Sequence, residues 1–122
     1  MKKSVLFLLL TLLGGALNAQ GVRHYESFLT EESLVETVSY LADDLNTGRA
    51  SGTDGNSRAE HFISEKFRKL GLKPYNWNYT QSFLYRDSII LRNVVGIITS
   101  TVPSNEFIVV SAHYDHLGEL KG

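Results

Sequence analysis

The 122 residues contain no cysteine, two prolines, one methionine and one tryptophan. Without cysteine there can be no disulfide staple, no lipid attached through a thiol and no Cys-His nucleophile, so stability must come from an apolar core or a metal. Neither sign of charge dominates: twelve lysines and arginines face thirteen acidic residues, for a net charge of −1. No basic stripe points to nucleic acid. Apolar runs of roughly 20 residues, the length that crosses a bilayer, are also missing. No internal repeat or low-complexity segment interrupts the chain after its first twenty residues. With 43% hydrophobic and 20% charged residues, the composition is that of a globular protein rather than a disordered tail.

The opening, "MKKSVLFLLLTLLGGALNAQ", joins two lysines to an apolar stretch that ends in small residues. This is the pattern of a secretory signal peptide, expected over residues 1–19 with cleavage after Ala19, and it implies export to a periplasmic or extracellular space. Without Lys2 and Lys3, ten basic residues oppose thirteen acidic ones, a net charge of −3. Residues 20–122 then have room for one modest core, marginal if their elements belong to a larger sheet.

Leu34, Val35, Val38, Leu41, Ala42 and Leu45 recur at helical spacing after Glu31 and Glu32, which suit a helix amino terminus; the spacing predicts a helix over about 31–45. A turn-rich loop, "NTGRASGTDGN", follows. Ser57 to Glu60, "SRAE", has the pattern of a capping box before a second amphipathic run through Ala59, Phe62, Ile63, Phe67 and Leu70. Gly71 is expected to close that helix, with Pro74 just beyond. Strands are expected at "YTQSFLY", "NVVGIIT" and "EFIVVSAHY". The short "STVPSN" connection suits antiparallel neighbours. The fold class is therefore α/β.

The segment "SAHYDHLG", Ser111 to Gly118, holds the chemistry. A run such as Phe107 to Val110, apolar on both faces, implies a central strand, and ligands of open α/β sheets bind at the carboxyl ends of such strands. On an extended strand His113 and Asp115 project to one side, and Tyr114 and His116 to the other. That separates the two histidines and pairs His113 with Asp115. A carboxylate that accepts the second ring N–H of a metal-bound imidazole fixes its tautomer. His113 is the candidate metal ligand and Asp115 its orienting partner. A satisfied, non-ligating histidine is the competing reading of an isolated H-x-D.

The sequence resembles the secreted zinc aminopeptidases of metallopeptidase family 28. The likeness runs through "YLADDLNTGRASGTDGNSRAEHFISEKFRKLGLKP" (Tyr40 to Pro74), "QSF" (Gln81 to Phe83), "NVVGII" (Asn93 to Ile98) and "FIVVSAHYDHLG" (Phe107 to Gly118). It implies a mixed β-sheet flanked by helices, of which residues 20–122 would form an incomplete amino-terminal portion, and two zinc ions in the complete enzyme. The family's H-x-D histidine ligates one zinc and its aspartate orients it, which maps onto His113 and Asp115. The bridging aspartate, the Glu-Glu pair, the further aspartate and the late histidine of the family do not follow here.

A di-metal peptidase needs a bridging carboxylate and a base for its water. The residues given are therefore expected to bind Zn2+ weakly or not at all and to be inactive alone. The complete protein is expected to remove amino-terminal residues from peptide substrates. A glutaminyl-cyclase-like acyltransferase and a non-catalytic binding ectodomain of the same fold are the alternatives. His24 and His61 are poor substitutes as ligands, and Glu119 lies too early to act as the family's base. Arg49 and "GRASGTDG" read as a helix connection, because the lysine of a phosphate-binding loop is missing. Tyr75, Trp77, Tyr79, Phe83 and Tyr85 are expected to pack a strand and its approach. An uncovered apolar edge makes self-association an expectation.

Overall fold

A computed structural model describes residues 29–119. The signal peptide expected over residues 1–19 lies outside the described residues, as does His24. The chain divides into two units, Met1–Tyr40 and Leu41–Gly122.

Helix α1 covers Glu31–Ala42. Thr30 and Ser33 cap it reciprocally: Oγ1 of Thr30 accepts the Ser33 N–H at 3.1 Å and Oγ of Ser33 accepts the Thr30 N–H at 3.2 Å. The helix stops three residues earlier than its apolar spacing predicts. Asp43 takes an extended conformation and its carboxylate accepts the Leu45 N–H at 2.8 Å, a local bond that competes with the next helical turn. A 3-10 helix, Asp44–Arg49, follows.

Helix α2 covers Asp54–Lys69. Its cap is Thr53, whose hydroxyl accepts the Asn56 N–H at 3.3 Å, so the helix begins a turn before the expected capping box at Ser57. Gly71 ends it as predicted, at φ 73°. The Gly71 N–H donates to the Arg68 carbonyl and the Leu72 N–H to the Phe67 carbonyl, both at 3.1 Å, which is the Schellman arrangement. Gly55, Asn56 and Ala59 form the buried face. Ala59 is the single fully buried apolar residue among the described residues.

The strands are β1 (Lys73–Pro74), β2 (Thr80–Tyr85), β3 (Ile89–Val94) and β4 (Gly96–Ile97). β2 and β3 form an antiparallel hairpin running from Thr80↔Val94 to Tyr85↔Ile89, and β1 pairs antiparallel with β4. Arg86 and Asp87 both have positive φ, 50° and 58°, as a type I′ turn demands. That turn usually signals itself with Asn-Gly or Asp-Gly, which "RDS" lacks; β3 begins at Ile89, four residues before the strand expected at "NVVGIIT".

Helix α2 meets the hairpin through Glu60, which accepts the Thr80 hydroxyl at 2.8 Å and lies 3.7 Å from the Arg92 guanidinium. Phe67 packs edge-on against Tyr79 with ring centroids 6.1 Å apart, and the Tyr79 hydroxyl donates to the Leu72 carbonyl at 2.7 Å. A Cβ on Gly96 would fall 2.6 Å from Leu72 and 2.8 Å from Phe67, so glycine lets β4 close on the end of α2. Tyr79 thus packs as expected, whereas Tyr75, Trp77, Phe83 and Tyr85 are exposed.

The α/β class holds as a mixture of helices and small antiparallel sheets. The mixed sheet with a central strand through Phe107–Val110 does not form among the described residues. Phe107, Ile108, Val109 and Val110 make no ladder and are 84–96% exposed. Such a run becomes a buried strand only when a neighbouring strand offers it a ladder; exposed, its backbone groups are left to water. No described strand pairs with it.

Candidate metal-ligating site

Two segments far apart in sequence meet at the candidate site. Thr47, Gly48 and Arg49 all take left-handed angles, with φ of 46°, 64° and 49°. For the non-glycine residues Thr47 and Arg49 such angles are uncommon and cost of order 1–3 kcal/mol each. Here the main chain is bonded on both sides. The Arg49 carbonyl accepts the His116 N–H at 2.9 Å, and the Gly48 carbonyl accepts the Gly118 N–H at 3.0 Å. Ala50 and His116 form a parallel bridge. A Cβ on Gly48 would come 2.6 Å from the Gly118 carbonyl carbon, so the approach requires glycine.

Arg49 locks this clasp. Its Nε donates to the Tyr114 carbonyl at 2.8 Å and its guanidinium also donates to the Leu41 carbonyl. The side chain is spent on main-chain carbonyls, which agrees with a connecting loop rather than a phosphate cradle. Tyr114 is half-buried and its hydroxyl donates to the Arg92 carbonyl at 2.6 Å. Burial pushes the Tyr114 phenol up from its ordinary range; the Glu60 and Asp115 carboxylates add to this, and Arg92 opposes it.

His113 and Asp115 lie side by side on this anchored end. Nδ1 of His113 is 2.9 Å from the Asp115 main-chain carbonyl and 3.4 Å from its carboxylate Oδ1. A carbonyl can only accept, so in the neutral imidazole Nδ1 carries the proton and the lone pair is on Nε2. Of the two Asp115 oxygens near Nδ1, the main-chain carbonyl is the closer. The Asp115 carboxylate has a stronger attachment elsewhere: Oδ2 accepts the Ser51 hydroxyl at 2.6 Å. That bond holds the Asp115 carboxyl below the usual carboxylate range, against the effect of partial burial and with help from its own N–H and from His113. The His113 side chain is 80% exposed, so Nε2 is open to a ligand.

The remaining candidates lie elsewhere. His116 serves through its main chain, in the bridge to Ala50. His61 lies on α2 beside a concavity of about 670 Å³ that Glu60, Arg68, Trp77 and Arg92 also line; His113, Asp115 and Ser51 are not part of its wall. Glu119 is exposed. Among the described residues no three histidine, aspartate or glutamate side chains gather closely enough to hold a metal. Ser51 is the residue at this site that sequence reasoning does not single out, and Arg49 reads there only as part of a helix connection. The polar, glycine-rich loop announced turns, but nothing in it announced a partner 64 residues away.

Comparison of the chain with family models, with curated proteins and with solved structures finds no match.

Proposed function

We propose that this chain supplies the H-x-D part of a zinc-dependent aminopeptidase site, with His113 as a zinc ligand through Nε2 and Asp115 as its orienting partner. The supporting observation is the tautomer that the Asp115 carbonyl imposes on His113: Nδ1 donates inward at 2.9 Å and Nε2 is left with its lone pair in the open. Metal-binding imidazoles are commonly prepared in this way. His113 would contribute one bond to a zinc ion, whose chemistry there would be to polarise the scissile carbonyl of a peptide and lower the pKa of the attacking water. No bridging carboxylate or general base is assigned among the described residues. The reading also rests on the resemblance of the motif blocks and on the exported character expected from residues 1–19.

Zinc titration of the full chain, followed through the ¹⁵N resonances of the imidazoles, tests the assignment. Nε2 of His113 is expected to shift with weak affinity, and the shift to vanish in His113→Ala. Binding through Nδ1, or no response at His113, would overturn it. Hydrolysis of aminoacyl p-nitroanilides by these residues alone is expected to be undetectable. Turnover that His113→Ala abolishes would show that the chain already holds a working ligand set.

A further inference from the structure

We propose that Ser51 is a positioning residue for His113: its hydroxyl, bonded to Asp115 Oδ2 at 2.6 Å, fixes the Asp115 carbonyl and carboxylate that together hold the imidazole by Nδ1. The proposal deepens the zinc-site reading above and rests on it for its functional meaning, although the structural relay can be measured without metal.

The residues involved form a chain of short contacts. Ser51 follows Arg49 and Ala50, whose main chain is bridged to His116, and the Arg49 side chain is bonded to the Tyr114 carbonyl. The serine Oγ therefore starts from a fixed point rather than from a free loop. It has one proton to give, and the acceptor 2.6 Å away is the carboxylate. With Oδ2 engaged, the carboxyl plane is set and Oδ1 faces Nδ1 at 3.4 Å, beside the carbonyl bond at 2.9 Å. Both oxygens near Nδ1 are acceptors, so both favour the same tautomer. Since His113 is exposed and no apolar packing restrains its ring, these polar contacts are its restraint. Without Ser51, the exposed carboxylate is free to rotate toward water and the ring is held by a single bond to a carbonyl.

The test uses the metal-free full chain at a pH of about 8.5, above the ordinary imidazole range. In the native chain His113 is expected to show a protonated Nδ1 and an unprotonated Nε2. In Ser51→Ala the two ¹⁵N signals are expected to move toward each other as the tautomers mix, and Ser51→Thr, which keeps the hydroxyl, should restore the native pattern. Zinc affinity at His113 is expected to fall about tenfold in Ser51→Ala, the lower end of what loss of a ligand's orienting partner costs. Exchange protection of the His116 and Gly118 amides reports on the clasp itself. An unchanged tautomer in Ser51→Ala overturns the proposal. So does a tautomer change accompanied by loss of protection at both amides, which would make Ser51 a fold residue. If the tautomer shifts but zinc never binds Nε2, Ser51 keeps its positioning role and the zinc reading fails instead.

Discussion

Two stretches of this chain meet opposite fates. Residues 107–110, "FIVV", have strong β propensity, yet they stand 84–96% exposed with no ladder. Residues 47–52, "TGRASG", have none, yet they fix the candidate site through bonds from Gly48, Arg49, Ala50 and Ser51 to Tyr114, Asp115, His116 and Gly118. β propensity describes how well a side chain fits a pleated, half-buried surface; it does not supply the neighbouring strand. The loop succeeds because its left-handed turn aims two carbonyls and a guanidinium at specific main-chain groups. Order in this protein follows where backbone partners are, not where apolar residues are densest.

The largest expected effect comes from cutting the clasp at Arg49. Arg49→Ala removes charged donors to the Tyr114 and Leu41 carbonyls. With hydrogen bonds from charged groups contributing about 1.5–3 kcal/mol each, a loss of about 2–3 kcal/mol in denaturant unfolding is expected, with the His116 and Gly118 amides losing exchange protection. Arg49→Lys should recover little of this, because an ammonium does not present the same fork to two carbonyls. A variant as stable as the native chain would mean that the backbone bonds alone hold the two segments.

A smaller effect is expected at Tyr114, whose hydroxyl donates to Arg92 at the back of the site. Tyr114→Phe should cost about 1 kcal/mol, the net worth of one neutral hydrogen bond. Its phenol pKa is raised in the folded chain, chiefly by burial. The folded state therefore favours the neutral phenol, so its contribution is fully present below the unfolded phenol pKa of about 10 and is lost as pH rises through the higher folded value. Ultraviolet titration of the native chain minus Tyr114→Phe should isolate a phenol ionising later than a free one. An ordinary midpoint would contradict the burial of this ring.

The smallest effect on folding is expected where hydrophobicity is greatest. Ile108 is 96% exposed, and Ile108→Lys should change stability by no more than about 0.5 kcal/mol, as for surface positions generally. The same substitution should reduce self-association in sedimentation, because a charge within an unpaired apolar run blocks edge-to-edge pairing. A large loss of stability would show that the run is paired in solution and would remove the contrast between the two regions.

Legibility from sequence followed the range of each interaction. Gly71, Leu72 and Phe67 complete a cap within six residues, and the helix end was read correctly. The period-two pattern of Thr80–Tyr85 also appears as a strand. The early stop of α1 at Asp43 and the early start of α2 at Thr53 turn on single side-chain bonds that compete with equally plausible ones nearby. His113 and Asp115 meet without any long-range contact, two residues apart, although the strand expected to align their side chains does not form and the main-chain carbonyl is the closer acceptor. Ser51 was not legible, since its bond to Asp115 depends on the whole path between them. Tyr75, Trp77, Phe83 and Tyr85 stand exposed against expectation, because an aromatic residue carries no signal of whether a surface exists to receive it.

The parallel bridge between Ala50 and His116 also bears on how the molecule is made. Its halves are separated by α2 and all four strands, so they cannot meet until that intervening chain has become compact. Closing so large a loop carries an entropic penalty that rises by about 0.6 kcal/mol with each doubling of its length, and contacts of high sequence separation are the slow ones to form. The helix and hairpin are local and can assemble first; the bridge closes only once they have brought its halves together. Amide exchange at His116 should accordingly be faster than in the middle of α2, and any ligand held by His113 would slow it in return.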